Sequence, residues 1–114
     1  MTSEQMLIAG EWTDAEDGST SDVLNPATGE VIATTPKATI SDVERCVAAS
    51  RAALNSKDWA AMDPAQRGRI LQKMAAATYA NAKSLAAIES SNNGKTFREA
   101  LSEIRYGAWT LEYF

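Results

Sequence analysis

Apolar residues in roughly the first third of the chain come in short runs between turn residues, whereas beyond Thr39 they recur every three or four positions. The change of period predicts a strand-forming part followed by a helical part. Met6-Leu7-Ile8 and Trp12-Thr13 flank Ala9-Gly10-Glu11, where Gly10 can take the positive φ of a tight reversal, so a β-hairpin is predicted. After a polar loop from Ala15 to Ser21, Val23-Leu24 and Val31-Ile32-Ala33-Thr34 flank Asn25-Pro26-Ala27-Thr28-Gly29-Glu30. Pro26 fixes φ and Gly29 supplies the reversal, which predicts a second pair of short strands.

Thr39 and Ser41 both offer capping oxygens, with Asp42 and Glu44 three residues on from each. Val43, Cys46, Val47, Ser50 and Leu54 then share one face, predicting a helix over about residues 40–55. The next start is Asp63 as N-cap, Pro64 at the first helical position and Gln66 two residues on, followed by Ile70, Leu71, Met74, Ala77 and Thr78 at helical intervals. The alanine-rich stretch from there to Ser91 predicts one long helix or two abutting ones. A last helix places Phe97, Leu101, Ile104, Ala108 and Leu111 on one stripe and Tyr106, Trp109 and Tyr113 on a second.

The second stripe carries the largest energy. Three rings burying on the order of 150 to 250 Å² each, at about 25 cal/mol/Å², amount to roughly 10 to 20 kcal/mol of favourable transfer once covered. That is comparable to the stability of a whole domain. The pattern is still running at Leu111-Glu112-Tyr113-Phe114, with no glycine, asparagine or lysine to satisfy the last carbonyls. The expectation is a truncated helix whose partner surface lies in polypeptide outside these residues.

Composition then narrows the chemistry. At 114 residues the chain is long enough for one domain burying roughly two thirds of its unfolded surface. Eleven Lys+Arg against 15 Asp+Glu give a net charge of -4 without a basic stripe, so no nucleic-acid partner and no membrane partner is expected. The opening residues have no charged n-region and no long apolar run, which makes a cytoplasmic setting the expectation. With no histidine, a Ser-His-Asp triad, a Cys-His dyad and a His-bearing zinc site are excluded within this chain. The lone Cys46 excludes an internal disulfide and, on the apolar side of its helix, is expected to be a buried small hydrophobe.

Ser91-Asn92-Asn93-Gly94-Lys95-Thr96 ends like a phosphate-binding loop, but the first glycine of that motif is replaced by Glu89, whose charge would repel phosphate. The preceding segment also has helical rather than strand spacing. The stretch reads instead as punctuation: Asn93 and Gly94 end one helix in the left-handed region, and Thr96 with Glu99 forms a capping box for the next.

The ordered set Leu7-Ile8-Ala9-Gly10-Glu11-Trp12, Asn25-Pro26-Ala27-Thr28-Gly29-Glu30-Val31-Ile32, Asp42-Val43, Arg67-Gly68-Arg69-Ile70-Leu71 and Asn93-Gly94-Lys95 resembles the N-terminal portion of NAD(P)-dependent aldehyde dehydrogenases. Each motif alone is weak; five in register are strong. The resemblance runs from about Met6 to Phe114. It implies an α/β protein of which this segment is the N-terminal part: short β-hairpins in residues 1–38, then about four helices in 39–114 belonging to the cofactor-binding domain, α+β taken by itself.

The resemblance further implies oxidation of an aldehyde to a carboxylic acid with NAD or NADP, through a cysteine thioester that a glutamate-activated water hydrolyses. The catalytic cysteine, the glutamate, the oxyanion asparagine and the glycine-rich cofactor turn all lie downstream in the family. No catalytic or cofactor-binding residue is therefore assigned in these residues, and the segment alone should be inactive. Expected partners are the aldehyde, the remainder of the dehydrogenase chain, and like subunits in a homodimer or homotetramer.

Two sets of site residues follow from the resemblance. Many family members bind a monovalent cation through backbone carbonyls just before the Asn-Pro turn, here Val23 and Leu24, and an aspartate whose place is taken by Asn92. A neutral amide there should weaken or abolish binding of a hard cation. The last helix resembles the one lining the aldehyde channel, with Glu103, Tyr106, Gly107 and Thr110 on its channel-facing side. The amine-aldehyde branch carries aspartates around this region, so a cationic aldehyde is one substrate class among several. The alternative from a different class is a small helical interaction module docking through Tyr106, Trp109 and Tyr113.

Overall fold

A computed structural model describes residues 2–114. They form two compact units, one comprising the described residues through Leu24 with Gly29–Ala61, the other Asn25–Thr28 with Met62–Phe114.

The first unit opens with β1 (Thr2–Ser3), β2 (Met6–Ile8), β3 (Glu11–Thr13), β4 (Thr20–Leu24) and β5 (Val31–Pro36). Strands β2 and β3 are the predicted hairpin, with Leu7 opposite Trp12. Its two-residue reversal places both Ala9 (φ 55) and Gly10 (φ 85) at positive φ, the geometry that matches the twist of the flanking strands. Strands β4 and β5 pair antiparallel around the Asn-Pro-Ala-Thr-Gly turn, with a bulge between Val23 and Leu24. Strand β4 begins at Thr20, inside the stretch expected to be loop, and β1 adds a short parallel edge to β5. Neither has an alternating pattern long enough to be read from the sequence.

Helix α1 spans Ile40–Leu54 and is capped by Thr39 rather than Ser41. Asp42, only 1% exposed, is its anchor. Its carboxylate accepts from Thr39 N (2.9 Å), Thr39 Oγ1 (2.9 Å), Glu16 N (3.2 Å) and Arg45 Nη2 (2.6 Å), joining the β3–β4 loop to the helix start. A buried carboxylate with every approach answered by a donor keeps its charge.

The apolar face of α1 departs from expectation. Val43, Val47 and Leu54 are exposed, and so is Cys46, so the thiol is not a buried core group. The hairpin β2–β3 meets α1 along another line, beside open clefts of about 420 and 360 Å³, one bordered by Leu7, Ile8, Cys46 and Ala49, the other by Glu11, Thr13 and Arg45; Val43, Val47 and Leu54 border neither. Helical spacing identified a face; it carried no information on whether that face is covered.

A single-turn helix α2 (Lys57–Ala60) follows, with Ser56 Oγ accepting from Trp59 N at 3.3 Å. One turn presents no repeat for periodicity to detect, so the described residues form five helices where about four are predicted.

The second unit is built from α3 (Pro64–Ala80), α4 (Ala82–Asn93) and α5 (Phe97–Tyr113). Asp63 and Gln66 cap α3 reciprocally, at 2.7 and 2.8 Å. The alanine-rich stretch is two helices, broken at Asn81, whose amide donates to Ala77 O at 2.8 Å. Helix α5 packs on both α3 and α4. The fully buried positions of the three helices are alanines, Ala75, Ala82, Ala86, Ala100 and Ala108, and their small side chains let the backbones approach closely. The first stripe of α5 faces this contact, with Ala108 buried and Leu101, Ile104 and Leu111 half-buried, while Phe97 at its start is exposed. No helix among the described residues is long and apolar enough to cross a membrane.

Candidate functional site

The link between α4 and α5 and the face of α5 beyond it bring together most of the residues singled out in the sequence. Gly94 ends α4 at φ 83. A Cβ there would stand 2.9 Å from Pro26 Cγ, so the Asn-Pro turn packs directly against it and the position is closed to any side chain. Asn25 Oδ1 tightens that turn by accepting from Ala27 N at 2.9 Å. On the other side of the link, Thr96 Oγ1 accepts from Glu99 N at 3.3 Å, and Glu99 Oε2 accepts from Thr96 N and Oγ1 at 3.3 and 2.9 Å.

Lys95 lies between these two devices with only 20% of its side chain exposed. Its Nζ donates to Glu103 Oε2 at 2.5 Å and approaches Glu89 Oε1 to 2.9 Å, bridging α4 and α5. Ser90 Oγ donates to the Lys95 carbonyl at 2.7 Å and fixes the backbone of the link. The Glu103 carboxylate, and after it that of Glu89, hold the ammonium more basic than an ordinary lysine.

These contacts answer the resemblance to a phosphate loop. The ammonium is engaged by two carboxylates, the Thr96 hydroxyl caps a helix, and the glycine is filled by Pro26. Gly94-Lys95-Thr96 is a helix link, and it offers no cradle for the phosphates of a dinucleotide.

Beyond the link, Glu103 and Tyr106, and Gly107 and Thr110, are three residues apart, Glu103 and Gly107, and Tyr106 and Thr110, four apart, so the four lie on one side of α5. Tyr106 is 67% exposed. Its ring is tilted against Trp109 at 5.5 Å between centroids, and Trp109 in turn meets Tyr113 at 6.1 Å. Beside it, a Cβ on Gly107 would meet nothing within 4 Å, so the helix surface there is open. Thr110 donates its hydroxyl to Tyr106 O at 3.0 Å, which leaves no hydroxyl proton pointing outward.

Val23 and Leu24 lie on β4 of the first unit, and Asn92 in the last turn of α4 in the second, exposed. No group of three or more His, Cys, Asp or Glu among the described residues is placed to hold a metal ion. The Lys95 bridge was not foreseen: its partners stand six and eight positions away, outside the i,i+3 and i,i+4 pairs that helical spacing exposes. The one trace in the sequence is acidic residues on both sides of a lysine at a helix break.

The sequence profile described as Aldehyde dehydrogenase family matches residues 12–114. The chain is 37% identical over 111 residues to a cytosolic 10-formyltetrahydrofolate dehydrogenase of Xenopus tropicalis, covering 96% of this chain and 12% of that protein. It is 41% identical to a phenylacetaldehyde dehydrogenase of Pseudomonas fluorescens, covering 96% and 22% of the two chains. A crystal structure of an NAD-dependent aldehyde dehydrogenase from Sinorhizobium meliloti superimposes with a TM-score of 0.93 at 39% identity, over 97% of this chain and 22% of that one. The chain thus spans under a quarter of the length of these relatives. The family match covers most of the chain and the fold agrees over 97% of it, and the chain belongs to the aldehyde dehydrogenase family, of which it forms the N-terminal region.

Proposed function

We propose that these residues are the N-terminal segment of an oxidoreductase that converts an aldehyde to a carboxylic acid with NAD or NADP. The observation that carries the reading is the likeness in fold, a TM-score of 0.93, to an enzyme whose name states NAD dependence. Within that enzyme the segment contributes scaffold, with residues 39–114 forming helices of the cofactor-binding domain. The exposed thiol of Cys46 has no histidine anywhere in the chain to activate it, and the nucleophile and its base belong to residues outside this segment. The dinucleotide likewise is held by residues outside it. The α5 face of Glu103, Tyr106, Gly107 and Thr110 is one wall of the aldehyde channel. Asn92 is a neutral amide where the resemblance places an aspartate, so binding of a monovalent cation is weak. The enzyme is a cytoplasmic homodimer or homotetramer.

The test is the intact enzyme supplied with NAD or NADP and a panel of aldehydes, following NAD(P)H formation and acid product. Aldehyde-dependent reduction supports the reading, and its absence with every aldehyde and both cofactors overturns it. The exposed ring ladder of Tyr106, Trp109 and Tyr113 favours a second reading, a docking face for another protein. A monomer of these residues that melts cooperatively and leaves the rings available to a partner would support that reading.

A further inference from the structure

Along α5 the residues Glu99, Glu103, Tyr106, Gly107, Thr110 and Tyr113 form one stripe. Both of its carboxylates are engaged. Glu99 accepts from Thr96 N and Oγ1, and Glu103 receives the Lys95 ammonium at 2.5 Å. What remains is two aromatic rings, Tyr106 and Tyr113, an open glycine and a threonine whose proton is turned into the helix. The stripe therefore offers ring surface beside a Glu103 whose charge is offset by Lys95, an ammonium shared with Glu89, while Glu99 keeps its charge at the helix N-terminus.

We propose that Lys95 is a specificity-determining residue: by compensating Glu103 it makes this stripe select uncharged, ring-bearing or apolar aldehydes over cationic ones. The inference rests on the reading of the α5 face as a wall of the aldehyde channel. Lys95 acts on the substrate through Glu103, not by contact. Without its ammonium, Glu103 and Glu89 become two uncompensated carboxylates on neighbouring helices, and the same face attracts a cation by ordinary charge attraction.

The test uses the intact enzyme and two aldehydes of similar size, one bearing a phenyl group and one a trimethylammonium group, read as the ratio of their kcat/KM values. Wild type should favour the phenyl aldehyde. Lys95→Met should move the ratio about two- to five-fold toward the cationic aldehyde at low salt, the range expected of partly exposed charges, with the shift shrinking as salt is added. Lys95→Arg should retain the wild-type ratio. Glu103→Gln should move it the opposite way, and it serves alone if Lys95→Met does not fold. A wild type that favours the cationic aldehyde overturns the proposal, as does a ratio that neither substitution moves or that moves equally at high salt. Turnover of neither aldehyde by wild type would instead overturn the oxidoreductase reading, and the proposal with it.

Discussion

Gly94 illustrates how two independent constraints meet at one residue. Its φ of 83 is unfavourable for any side chain, and the space a Cβ would enter belongs to Pro26. Gly10 has a similar φ of 85 with nothing within 4 Å of the same virtual atom. Gly94→Ala should therefore lower the urea midpoint more than Gly10→Ala, the latter costing about 1–2 kcal/mol from backbone strain alone. Equal shifts would mean that the Pro26 contact relaxes without cost. Asp42 gives a second expectation. Donation from the Thr39 backbone, then from Arg45, holds its carboxyl well below the usual carboxylate range. Since the folded value is the lower one, its stabilisation is present above the unfolded value of about 3.9 and is lost as pH falls below it. Wild-type stability should accordingly fall more steeply between about pH 5 and about pH 3 than that of Asp42→Asn, as measured by urea midpoints across pH.

At the scale of elements, the capping boxes decide where helices begin. Thr39–Asp42, Asp63–Gln66 and Thr96–Glu99 all form as their spacing predicts. Replacing Thr96 by Ala should cost about 0.5–2 kcal/mol, with Thr96→Ser close to wild type. Circular dichroism during urea unfolding would measure it, and equal midpoints for all three proteins would show that the cap does not limit stability. Caps, turns and the helical stripes were legible because each depends on residues within four positions of one another. The two-residue β1, the early start of β4 and the single-turn α2 were not, because so few residues establish no period. The Lys95 bridge was hidden for the converse reason, its partners being brought together by a helix–helix link rather than by local spacing.

For the chain as a whole, large apolar groups remain exposed in both units, among them Val43, Val47 and Leu54 on α1 and Tyr106, Trp109 and Tyr113 on α5. A polypeptide of these residues alone should self-associate with concentration and bind a hydrophobic dye, and it should reduce no NAD with aldehydes. A monomeric, dye-silent species in sedimentation would contradict the first expectation, and measurable turnover the second. By itself the sequence determined the order of hairpins and helices, their caps, and the face of α5 that carries Tyr106, because hydrogen-bond capping and side-chain periodicity act over a few residues. Only the tertiary structure decided that Cys46 is exposed, that Asp42 is a buried junction of loop and helix, and that Lys95 compensates Glu103. Those outcomes depend on which distant segments pack together, and a pattern within one segment does not contain that information.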